Sequence, residues 1–100
     1  MLERGCIVRS TPGHDKGDLL LVLGMEDGLA LVCDGKRRRK AKPKRKKPSH
    51  VDMVCGNSFP HPDLDRLRRD GVLSDKGIRR ALAAFRDTEQ GGNETWQRAT

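Results

Sequence analysis

The sequence predicts a mainly β chain, a small antiparallel barrel with two short α-helices at its C-terminal end. Three observations predict it. Short apolar runs separated by glycine-bearing turns fill the first half. One of them, Leu19-Leu20-Leu21-Val22-Leu23, does not alternate, so both faces of that strand are expected to be covered. Two stretches in the second half have helical period and helix-end signals. At 100 residues the chain has room for one compact domain, burying about 65% of its unfolded surface. Only Phe59, Phe85 and Trp96 are aromatic, so leucine, valine and isoleucine must build most of the core.

Each element has a reason. Gly5 to Arg9 is β-branched and ends at the Thr11-Pro12-Gly13 turn. Asp18 to Leu23 is a second strand and Leu29 to Cys33 a third, with Met25-Glu26-Asp27-Gly28 as the hairpin connection. A short fourth strand is expected in the basic stretch after Gly35, and a fifth at His50 to Cys55. Pro62 to Asp70 reads as a helix with Leu64 and Leu67 on one face and Gly71 as terminator. Ser74 is the expected N-cap of a second helix, Asp75 to Arg86. There Ile78, Ala81, Leu82 and Phe85 form one stripe, with Arg79, Ala83 and Arg86 opposite. Gly77 weakens that helix by roughly 1 kcal/mol relative to alanine. The expected organisation is a barrel over 1–56 containing the basic loop 36–48, a helical segment over 57–88, and a loose tail over 89–100.

The net charge of +7 is concentrated. Lys36 to Lys47 holds 10 basic residues and no acidic one. The remaining 11 basic and 14 acidic residues leave the rest of the chain at −3. A mildly acidic domain with one dense positive segment is the footprint of a polyanion partner.

Gly5-Cys6-Ile7-Val8-Arg9-Ser10-Thr11-Pro12-Gly13-His14-Asp15-Lys16-Gly17 leads into the apolar strand. Gly13 and Gly17 suit a tight loop that needs positive φ, and Gly17 also offers room for a close backbone approach. The segment resembles the KOW domain, with Gly5, Ile7, Val8, Gly13, Lys16 and Gly17 at the motif's positions. Beyond it, Glu26-Asp27, Leu31-Val32, Asp34-Gly35, Pro43-Lys44 and His50 follow the order seen in the family of ribosomal large-subunit protein fourteen of archaea and eukaryotes. Ile78-Arg79-Arg80-Ala81-Leu82 and Phe85 are similar to a helix in that family's short bacterial relatives. The resemblance implies an SH3-like barrel, RNA binding and a ribosomal setting. His14 and Asp18 stand where those relatives carry basic residues, which shifts the expected grip to the later loop.

That loop is Lys36, Arg37, Arg38, Arg39, Lys40, Lys42, Lys44, Arg45, Lys46 and Lys47, interrupted by Ala41 and Pro43. It has no aromatic residue to stack on bases. It suits phosphates, arginine as a bidentate fork and lysine as a point charge. Repulsion among ten cations predicts an extended or mobile loop without a partner. If half of them engage phosphates, log K falls against log salt with a slope of about −4. Lys16 is expected to orient the barrel on RNA, and Arg79 and Arg86 to add a second contact. A solvated loop, a nuclear localisation signal and an anionic-lipid site are the competing readings of such a run; no amphipathic helix or lipidation site flanks it to favour lipid.

Other chemistry finds little support. Cys6, Cys33 and Cys55 are odd in number and show no C-x-x-C spacing, against a disulfide framework or a zinc site. A Cys–His pair drawing on His14, His50 or His61 is the enzymatic alternative, with free cysteine as a small buried hydrophobe the simpler reading. Asp63, Asp65 and Asp70 suit the start and surface of a helix. There is neither a Walker A nor a dinucleotide motif. The longest apolar run is too short for a membrane span, and no hydrophobic signal region follows Met1. The expectation is a cytoplasmic RNA-binding protein for ribosomal RNA, without enzyme activity, metal, cofactor, membrane partner or small-molecule substrate. The alternative is a protein-binding module docking on the transcription or translation machinery.

Overall fold

The computed structural model describes residues 2–13 and 16–89. His14, Trp96 and the tail beyond Glu89 lie outside the described residues. Five strands, β1 (Ile7–Ser10), β2 (Leu19–Glu26), β3 (Leu29–Cys33), β4 (Lys44–Lys46) and β5 (Val51–Cys55), precede two helices, α1 (Pro62–Asp70) and α2 (Asp75–Asp87). The strands form one antiparallel sheet in the order β4-β3-β2-β1-β5.

β2 outruns its expected end because the turn is tighter than the sequence implied. Asp27 (φ 52°) and Gly28 (φ 78°) are both left-handed, the signature of a two-residue type I′ turn. β4 lies within the basic run, towards its C-terminal end.

The unalternating run in β2 is buried on both faces. Leu19 and Leu21 join Ile7 and Cys33 beneath the helices, against Leu64, Leu67, Ile78 and Leu82. Leu20 and Val22 face the other way, with Cys6, Val8, Ala30, Val32 and Val51. Full burial of one such side chain contributes about 1.5–3 kcal/mol. Phe59 and Phe85 meet edge to face at 5.3 Å on the helical side.

Among the described residues no helix covers the second cluster, and the sheet curls over it. A buried hydrogen bond proves the curl: Lys46 Nζ on β4 donates to Ser10 Oγ on β1 at 2.8 Å. Three strand spacings separate β4 from β1, roughly 14 Å in a flat sheet. A lysine, a serine and the bond between them reach only roughly 11 Å. Register shifts at Val22/Gly24 and at Ile7/Val8 bend the strands that must curl. Among the described residues no ladder joins β4 to β5, and the sheet is not closed.

Both helices have side-chain caps. His61 Nδ1 accepts from Asp63 N at 3.2 Å, with Pro62 opening α1. Gly71 (φ 73°) closes it. Ser74 Oγ accepts from Gly77 N at 2.9 Å. Gly77 is buried, and a Cβ there would press on Leu73 and the Asp63 carboxylate. Its helix penalty therefore accompanies close α1–α2 packing. Glu89, at the start of the expected tail, forms an ion pair with Arg9 at 2.7 Å.

Candidate nucleic-acid interface

The β1–β2 connection is closed by Gly17 N donating to Ser10 O at 2.7 Å and by Lys16 N donating to Gly13 O at 3.3 Å. Gly13 (φ 71°) and Gly17 (φ 88°) are left-handed as expected. Among the described residues, a Cβ on Gly17 would meet nothing within 4 Å. The expected close backbone approach there is therefore corrected: Gly17 serves the dihedral, not the space. Lys16 is exposed at the tip.

The basic segment begins in folded turns, not as the extended chain its charge implied. Asp34 Oδ1 accepts from Lys36 N and from Arg38 N, each at 2.8 Å. Asp34 N and Gly35 N both donate to Arg38 O. Farther along, Lys40 N donates to Asp75 Oδ1 at 2.7 Å, and Lys42 N to Arg39 O at 3.0 Å. Arg79 donates to the Gly35 carbonyl at 2.5 Å. Two carboxylates thus bind the backbone of a cationic segment, offsetting its self-repulsion and fastening it to α2. Gly35 is buried at φ 78°, and a Cβ there would strike the Asp75 carbonyl.

The ten cations do not share one role. Lys46 points into the curled sheet, 7% exposed and bonded to Ser10. The alternation of a strand turns Lys46 inward and Arg45 outward, and Lys46 still lines the wall of the larger groove described below. Arg45 forms an ion pair with Glu26 at 2.5 Å and Arg37 with Asp18 at 2.6 Å. Both pairs are solvent-exposed, where such contacts contribute about 0–1 kcal/mol and exchange readily.

Two open grooves bring the expected site residues together. The larger, about 780 Å³, runs between the hairpin tip at Pro12 and Gly13 and the basic segment, lined by Arg37, Arg38, Lys44, Arg45, Lys47 and His50 among others. The smaller, about 390 Å³, lies against α2 and is lined by Lys36, Arg37, Arg79, Leu82 and Arg86. Asp18, Asp34 and Arg37 belong to both. Arg79 and Arg86 thus join the basic segment, as their assignment to a second contact requires. Arg39, Lys40, Lys42 and Lys16 are exposed and line neither groove.

Sequence reasoning missed the organising carboxylates. Asp34-Gly35 carries a turn signal that could have pointed to the first. Asp75 has no local signal, since its partner is 35 residues away.

Cys6 and Cys33 are buried and Cys55 is half-buried, all free. Burial, followed by the nearby Asp75 and Asp34 charges, pushes the Cys33 thiol up to about 12. Burial also raises Cys55. No cluster of three or more His, Cys, Asp or Glu suited to a metal exists among the described residues. No helix among them is long and apolar enough to cross a membrane. No protein-family model matches the chain, and no curated protein matches it.

Proposed function

We propose that the chain is an RNA-binding protein that grips phosphates, taking ribosomal RNA as its partner and acting in the cytoplasm as a ribosomal, ribosome-associated or assembly protein. The observation that carries this reading is the folding of the basic segment along two grooves, with Arg38, Lys44, Arg45 and Lys47 lining one, Lys36 lining the other and Arg37 lining both. A polyanion would be met by a surface already shaped, so less ordering entropy is lost on binding. Neither catalytic turnover nor a cofactor enters this reading. The curled sheet, with consecutive β4 and β5 at its opposite edges, supports a partly open SH3-like barrel of the KOW kind.

The test is co-sedimentation with ribosomes from lysate at low and high salt, for wild type and for a variant with the Lys36–Lys47 charges neutralised except at the buried Lys46. Salt-sensitive co-sedimentation by wild type alone is expected. Wild type left in the supernatant at low salt overturns the ribosomal reading.

A protein-binding module is the second reading. Met25 and Met53 are 43% and 47% exposed and, with Leu2, Pro48 and Val51, line an apolar groove of about 600 Å³. On this reading loop neutralisation leaves partner binding intact, while Met25→Ser with Met53→Ser abolishes it.

A further inference from the structure

The junction of the two grooves is acidic. Asp18 and Asp34 line both grooves, and Arg37 is the one cation they share there. Asp34 is committed to two backbone amides, and Asp18 reaches Arg37 at 2.6 Å. A phosphate chain crossing from one groove to the other must pass both carboxylates, which repel it. Two chains, one in each groove, avoid that passage and still meet cations along their length.

A single strand would also need base stacking to hold it in a groove. No phenylalanine, tyrosine or tryptophan of the described residues lines either groove, and a single imidazole, His50 in the larger one, offers at most one stacking platform. Phe59 and Phe85 are packed on each other beneath the helices. A-form RNA carries two phosphate ribbons across a wide, shallow minor groove and is recognised by shape and backbone.

Resting on the RNA reading above, we infer that the ligand is double-helical RNA, its two phosphate ribbons straddling the Asp18–Arg37 divide. Asp18 is the residue that disfavours a single strand, and Lys36 and Arg86 hold the second ribbon.

The test is a binding titration at low salt with an RNA duplex of about 16 base pairs, a length two minor-groove contacts need, and with one of its strands alone. Concentrations are matched in phosphate. Wild type is expected to bind the duplex about tenfold more tightly, since the second ribbon adds phosphate contacts. Lys36→Gln with Arg86→Gln should remove most of that preference while leaving single-strand binding nearly unchanged. Arg79 is kept because it holds Gly35. Asp18→Asn should raise single-strand affinity severalfold and narrow the gap from the other side. Equal binding of both RNAs by wild type, or a preference that neither variant alters, overturns the inference and leaves RNA binding standing. Failure to bind either RNA overturns the RNA reading itself.

Discussion

The Arg79 guanidinium donates to the Gly35 carbonyl across 44 residues of sequence. This bond, with Asp75 holding Lys40 N, makes α2 the scaffold of the basic segment. Gly35→Ala places a methyl against the Asp75 carbonyl at a left-handed φ. It should destabilise the fold by about 1–3 kcal/mol, read as a shifted urea midpoint. Unchanged stability would mean that the loop does not depend on α2.

Lys46 and Lys47 are neighbours with separate duties. Ser10→Ala strips the buried Lys46 ammonium of a hydrogen bond and should lower stability by about 1–3 kcal/mol, leaving the salt dependence of RNA binding as it was. Lys47→Gln should do the reverse, lowering the salt slope by about 0.7–0.9 with no change in melting. Parallel melts and titrations separate the two.

Cys33 links stability to alkaline pH. Its folded value, about 12, lies above the ordinary 9.0, so the folded state holds the neutral thiol more tightly than the unfolded one. Its contribution is complete below pH 9 and is lost as pH rises from there towards 12. Cys33→Ala should flatten the fall in urea midpoint between pH 8 and pH 10. An identical slope in both proteins would count against the assignment.

Leu21→Asp puts a carboxylate into the fully buried site beneath the helices. A loss above about 4 kcal/mol is expected, and circular dichroism should find the variant largely unfolded. A wild-type melting curve would show that the helices do not cover β2.

What was legible in the sequence is what neighbouring residues decide. The unbroken Leu19–Leu23 run announced its two buried faces, and Ser74 and Gly71 marked helix ends because caps act within one turn. The loop conformation was illegible because its ties come from Asp75 and Arg79, far along the chain. The inward turn of Lys46 was illegible for another reason. In Lys44-Arg45-Lys46 every position is basic, so no polarity contrast betrays which side chain the strand turns inward. Gly17 was read correctly for its dihedral and wrongly for its surroundings, since a sequence specifies the first more directly than the second.

β4 is an edge strand, three residues long and wholly basic. An exposed edge is a template for pairing with another chain, and like charges along it repel a second copy. The residues proposed to attract RNA therefore also keep the protein from itself. Removing them does two things at once: it silences the grip and unguards the border of the sheet. A charge-neutralised protein should drift towards self-association as its concentration rises, whereas a bound polyanion would cancel the same charges while shielding that border with its own bulk.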